Sequence, residues 1–232
     1  MLKKLYCQQD IGWKNMEANF LRYLPISKKP LKKRKSVSNA DRIKTWKLDY
    51  NYFDGSREQG YGGYKYDGRW KPLAKAMIKH YNLNNKSRIL EIGCAKGYLI
   101  KEFKDLLPKC TIYGVDISEY AISNAHVGIK KKLLIANANS LPFKKKFFDL
   151  TLSINSLHNI LNLEELKESF SEIRRVSKKN MFVSVGTYEN HKEKKILDEW
   201  AVLATTYMSK ENWLKFFKKV KYNGDYDWFK PR

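Results

Sequence analysis

The sequence predicts an α/β protein: a doubly wound, mostly parallel sheet with a C-terminal antiparallel hairpin and a basic N-terminal extension. Three observations predict it. From Trp70 onward, short apolar runs alternate with amphipathic stretches. The loops that follow the apolar runs begin with glycine or small polar residues, as strand-to-helix turns do. Residues 1–50 lack this rhythm and are polar and basic instead.

The elements follow in order. Pro25 and Pro30 interrupt the first fifty residues, leaving short helices expected around Asn15–Leu24 and Asp41–Leu48. Residues 51–69 form a separate segment that ends in QGYGGYKYDGRW, too glycine-rich for a helix and too aromatic for an inert linker. Trp70, Leu73, Ala74, Met77, Ile78 and Tyr81 then lie on one stripe of a helix. SRILEIG is the first strand and YLIKEFKDLL the next helix, stopped by Pro108. TIYGVD is the second strand, and Ser118 caps the helix after it. KLLIAN and FFDLTLSIN read as strands three and four, NLEELKESFSEIRRVSK as a long helix, and NMFVSVGT as strand five. SKENWLKFFKKV is a last helix capped by Ser209. KYNGDYDWF closes the chain, with Asn223-Gly224 as the turn of the expected hairpin. The division is residues 1–50 as extension, 51–69 as a lid and 70–232 as the main domain.

Composition narrows the function classes. The net charge is +22, which invites a nucleic-acid partner. Yet 37 of the cations are lysine and 9 arginine, whereas planar, bidentate phosphate and base recognition favours arginine. Basic residues concentrate in Lys28–Lys35, which suits phosphates or anionic headgroups and equally a solvated tail. Cys7, Cys94 and Cys110 form no CxxC pair, so neither a disulfide framework nor zinc is expected, and the chain reads as cytoplasmic. No metal is expected, because no His/Asp/Glu cluster has ligand spacing. No apolar run approaches the roughly 18–20 residues that cross a bilayer.

In such sheets ligands sit at the carboxyl ends of the strands. The loop after strand one is LEIGCAKGYL. It is not a dinucleotide fingerprint, because Tyr98 stands where the last glycine would be, and no Gly-Lys-Ser/Thr makes it a P-loop. Glu91-Ile92-Gly93-Cys94-Ala95-Lys96-Gly97 resembles the E-x-G-x-G-x-G motif of class I S-adenosylmethionine-dependent methyltransferases, departing at Ala95. YGVDIS, ANANSLPF and FFDLTLSINSLHNI fall where that family has its next three motifs, so the resemblance covers roughly Trp70 to Phe229. It implies a Rossmann-like fold with S-adenosyl-L-methionine as methyl donor. It further implies a donor site of Glu91, Gly93, Cys94, Ala95 and Gly97, with Asp116 and Ile117 at the ribose, Asn137 and Ala138 at the adenine, and Asn155 after strand four.

Methyl transfer from a sulfonium needs alignment, exclusion of water and, for some acceptors, a base. His158 is the candidate base, with His191 a second histidine on the same rim. Tyr64 and Tyr66 are expected to wall the sulfonium by cation–π contact and to orient a polar acceptor. The acceptor is expected to be a small or medium polar molecule, such as a sugar or glycan precursor. The alternative is RNA methylated at a ribose 2′-hydroxyl and docked through the basic N-terminus. A nucleobase is disfavoured, since Asn155-Ser156-Leu157-His158 lacks the prolines and aromatic of the base-amine enzymes.

Overall fold

A computed structural model describes residues 16–25, 38–203 and 206–231. Cys7 and the Lys28–Lys35 cluster lie outside the described residues. The central sheet contains β1 (Arg88–Ile92), β2 (Thr111–Asp116), β3 (Leu133–Ile135), β4 (Phe148–Ile154), β5 (Ser177–Tyr188), β6 (Met208–Ser209) and β7 (Asp225–Phe229). Its order is β3-β2-β1-β4-β5-β6, with β7 also paired to β5, and every pairing between these strands is parallel. The order therefore reverses between β1 and β4, which opens a crevice beyond their carboxyl ends.

Alternation along each strand serves two cores. Ile89, Ile112, Leu150 and Leu152 face α3 (Lys71–His80) and α4 (Tyr98–Leu106), packing with Leu73, Met77, Ile100 and Phe103. Leu90, Ile92, Val115 and Val183 face α6 (Leu163–Val176) and α8 (Lys210–Lys219), packing with Phe170, Ile173, Trp213 and Phe217. The remaining helices are α1 (Asn39–Trp46), α2 (Tyr50–Phe53), α5 (Glu119–Ser123) and α7 (His191–Trp200). The expected caps form: Ser118 Oγ accepts from Ala121 N at 2.9 Å and Ser209 Oγ from Asn212 N at 3.2 Å.

Three expectations change. The closing strand exists as β7, but its partner β5 runs parallel to it. Asn223-Gly224 joins β7 to α8 rather than to another strand, and the ten residues of α8 return the chain to the starting end of β5. A strand entered that way runs parallel. Helix α7 has no counterpart in the sequence reading; its exposed charged turns hide the single fully buried apolar position, Leu197. The N-terminal fifty residues are not all an appendage. Glu17 bridges Tyr226 in parallel, Leu21 N donates to Asp227 Oδ2 at 2.6 Å, and the Phe20 ring packs on Tyr81 and Phe182. Residues 20–23 form a single 3-10 turn, shorter than the expected helix.

Candidate functional site

The loop between β1 and α4 turns on three residues of positive φ: Gly93 at 74°, Ala95 at 48° and Gly97 at 75°. Gly93 N and Cys94 N both donate to Val115 O, at 2.8 and 3.0 Å, pinning the loop to β2. A methyl group on Gly93 would fall 1.9 Å from Ser156 Oγ, so the β1 and β4 loops touch where only hydrogen fits. Ala95 sits in the left-handed region that an alanine enters at a cost of about 1–2 kcal/mol. That cost explains the glycine found there in the family motif. Asp116 at the end of β2 compensates: Oδ2 accepts from Ala95 N at 2.8 Å and Oδ1 from Ser118 N at 2.9 Å. Burial raises the Asp116 pKa, and these amide bonds work against the rise.

Above the loop lies a cavity of about 470 Å³. Its sheet side is lined by Glu91, Gly93, Cys94, Ala95, Ile154, Asn155 and His158. Glu91 is 5% exposed, and its Oε2 has no hydrogen-bond partner among the described residues. Burial, and then the neighbouring Asp116 charge, push its carboxyl well above the usual range. Cys94 is buried, which raises its thiol pKa and leaves it a filler under the loop.

The opposite wall comes from residues 50–69, which form a strap. Asp54 holds it down. Its carboxylate accepts from Lys96 Nζ at 2.5 and 2.7 Å, from Tyr120 Oη at 2.8 Å and from Tyr64 N at 3.2 Å. Burial works to raise the Asp54 pKa, but the Lys96 and Tyr120 hydrogen bonds and the Lys96 charge outweigh it and lower the pKa. Tyr98, which excluded the dinucleotide fingerprint, ties the strap to α4 by donating to Tyr64 O at 2.8 Å. The glycines let the strap fold tightly on itself: at Gly60 a methyl would meet Tyr52 O at 1.9 Å. Rings pack in series, Tyr52 on Tyr61 at 5.1 Å, Tyr61 on Tyr64 at 4.5 Å and Tyr64 on Tyr98 at 4.8 Å.

The expected site residues divide three ways. Glu91, Gly93, Cys94, Ala95, Asn155, His158 and Tyr64 meet at the cavity. Gly97 lies beneath the loop, where a methyl would strike Ile129 and Leu133. Asp116, Ile117 and Asn137 lie outside the cavity lining, Asp116 half-buried at the end of β2 and the other two exposed beyond β2 and β3, and Ala138 packs against the core beside them. Tyr66 does not join the site. Its hydroxyl donates to Glu102 Oε1 at 2.8 Å, a bond that holds its pKa up at about 12. His191 is the exposed first residue of α7 and is likewise absent from the lining.

His158 is present but cannot serve as the expected base. It is 3% exposed, burial lowers its pKa to about 4, and Nδ1 accepts from Gly186 N at 3.0 Å. A neutral imidazole whose Nδ1 is an acceptor carries its proton on Nε2. Taking a second proton would place it on Nδ1, against the Gly186 N–H. His158 is therefore a neutral lining residue whose free proton is on Nε2, a donor and not a base. Sequence reasoning did not single out Arg57, Lys65, Trp200, Tyr207 and Phe229, which also line the cavity. They come from segments far apart in the chain, and no local motif links them. Among the described residues no group of three His, Cys, Asp or Glu could hold a metal, and no helix is long and apolar enough to cross a membrane.

Residues 90–185 match a family model described as a methyltransferase domain. A tRNA (carboxymethyluridine(34)-5-O)-methyltransferase of Arabidopsis thaliana is 30% identical over 147 residues, covering 63% of this chain and 34% of that protein. A malonyl-[acyl-carrier protein] O-methyltransferase of Legionella pneumophila is 30% identical over 103 residues, covering 43% of this chain and 36% of that protein. The chain thus spans about a third of the length of these relatives. The crystal structure of MccD protein superposes with a TM-score of 0.50 at 25% identity, covering 63% of this chain and 68% of that one.

Proposed function

The chain belongs to the class I S-adenosylmethionine-dependent methyltransferases, and from that premise we propose that it transfers a methyl group to a small or medium polar acceptor in the cavity under the strap. One observation carries the reading: Glu91, a buried carboxyl with an unpartnered oxygen at the cavity wall. A buried polar atom without a partner is costly, and a cationic ligand satisfies it. The donor's ammonium fits that requirement, with the rest of the donor along the Gly93–Ala95 side of the cavity. In this reading Asp116 accepts from the ribose hydroxyls with the lone pairs its two amide bonds leave over, while Ile117, Asn137 and Ala138 flank the adenine along the open rim.

The bound donor supplies a methyl group already activated by positive sulfur. The chain's own residues position and shield. Tyr61, Tyr64 and Tyr98, packed in series along the cavity, wall the positive charge. The strap, tied down by Asp54 and Tyr98, excludes water. His158 and Asn155 orient the acceptor from the end of β4. The cysteine pattern supports a cytoplasmic location.

A second reading is favoured by the tRNA named in the Arabidopsis relative and by the lysine-rich stretch Lys28–Lys35. In it the acceptor is RNA, and binding falls steeply with salt. The test is incubation of the full chain with methyl-labelled donor and either purified total RNA or a nuclease-treated small-metabolite fraction. Label in the small-metabolite fraction is the expected result. Stoichiometric label in RNA, lost on neutralising the basic residues of Lys28–Lys35, would reverse the order.

A further inference from the structure

Resting on that reading of the donor site, we infer that the acceptor atom is a carboxylate oxygen, so that the product is a methyl ester. The first ground is what the cavity lacks. A hydroxyl or amine acceptor must lose a proton, and among the described lining residues Glu91 is the one carboxyl and His158 the one histidine that could take it. His158 has Nδ1 occupied by Gly186 N–H and presents a proton on Nε2. Cys94, Tyr52, Tyr64 and Tyr98 are all held protonated by burial. Glu91 sits on β1 beneath the donor loop, on the side the cationic donor occupies. A carboxylate arrives already deprotonated and needs no base.

The second ground is what the cavity offers. Arg57 and Lys65 line the strap side. Arg57 is half-buried; Nη1 donates to Gly60 O at 2.6 Å, and no carboxylate among the described residues pairs with it. Arg69, by contrast, is already matched by Asp67 through bonds of 2.5 to 2.9 Å. Lys65 is exposed, so Arg57 is the partly buried cation that meets a carboxylate at this wall. At the sheet end, Asn155 Oδ1 accepts from Ser184 Oγ at 2.9 Å, which makes its amide nitrogen the donor end, alongside His158 Nε2–H. Donors and cations suit a carboxylate, which only accepts.

The step balances without a proton. A carboxylate oxygen lone pair forms the O–CH3 bond as the C–S bond breaks, and that bond's electron pair stays on sulfur. The negative charge of the acceptor and the positive charge of the sulfonium cancel, giving a neutral ester and a neutral thioether.

The experiment incubates the full chain with methyl-labelled S-adenosylmethionine and a nuclease-treated small-metabolite fraction of a cell extract, then treats the products with mild alkali. The expected result is label released as volatile methanol. Absence of base-released label, whether the label is alkali-stable or not incorporated, would overturn the inference. Calorimetric titration of S-adenosylmethionine distinguishes this from failure of the underlying reading, which alone abolishes donor binding. In Arg57→Gln, the KM for the labelled fraction is expected to rise by about tenfold, the equivalent of one charge-assisted hydrogen bond, while the donor Kd stays within about twofold. An equal loss of donor affinity would assign Arg57 to the donor's carboxylate and count against the inference.

Discussion

The Gly93–Gly97 loop and the strap of residues 50–69 face each other across one cavity and are made differently. The loop is local. Its path follows from glycines at positive φ, from two amides on Val115 O and from a carboxylate one strand away. The strap folds on itself and is tied to the domain by distant residues: Lys96 and Tyr98 from the loop and α4, and Tyr120 from α5. Lys96 joins the two. It lies inside the loop, is 6% exposed, and its ammonium is paired with the strap's Asp54. The donor wall is therefore built into the sheet, while the cover is tied down by the Lys96–Asp54 pair and by the hydroxyls of Tyr98 and Tyr120.

The largest expected effect breaks the loop alone. Gly93→Ala adds a methyl against Ser156 and left-handed strain, together about 3 kcal/mol, so donor affinity is expected to fall by about 100-fold in calorimetry. Asp54→Ala breaks the strap alone. It leaves the buried Lys96 charge unpaired, and the expected loss is about 2 kcal/mol in urea unfolding. Adding Lys96→Met to that variant is expected to recover much of it, because no charge is left to bury. The pH dependence has a definite sign. Because the folded Asp54 pKa is lowered, its contribution is fully present above the ordinary value of 3.8 and is lost as the pH falls through the folded value. Hydrogen exchange at Tyr61–Tyr66 is therefore expected to rise on acidification before the sheet amides open.

Smaller effects sharpen the contrast. Asn137→Ala is expected to weaken donor binding by about fivefold, since a neutral hydrogen bond is worth about 1 kcal/mol. Among the described residues its side chain is otherwise engaged only by Asn139 N, at 3.4 Å. Ala95→Gly should change stability by less than about 1 kcal/mol, relief of the left-handed strain offsetting added chain entropy. A large loss there in thermal unfolding would show that the loop needs the alanine methyl for packing.

The same contrast explains what the sequence revealed. Strands β1 to β5 and the caps at Ser118 and Ser209 are written in short-range periodicity and side-chain chemistry, and the donor loop in five neighbouring positions. The acceptor wall is not. Arg57, His158, Tyr207 and Phe229 become neighbours only when the crossover through α7 and α8 brings the last strand beside β5. The same crossover makes β7 parallel, which the Asn223-Gly224 turn signal did not foretell. His158 could be picked out as a histidine after β4, but its protonation depends on an amide 28 residues away in β5. Tyr66 looked equivalent to Tyr64, yet two residues along the strap its hydroxyl turns away from the cavity to the buried Glu102 of α4.

Donor binding is the claim on which the rest stands, and titration calorimetry of S-adenosylmethionine against the intact chain and Asp116→Ala tests it most directly. Asp116 is the residue whose carboxylate both shapes the loop through Ala95 N and, in this account, holds the ribose. The predicted result is saturable binding to the intact chain and an affinity lower by about 10- to 100-fold in the variant, from loss of charge-assisted hydrogen bonds. No binding to the intact chain, or the same affinity in both proteins, would contradict it.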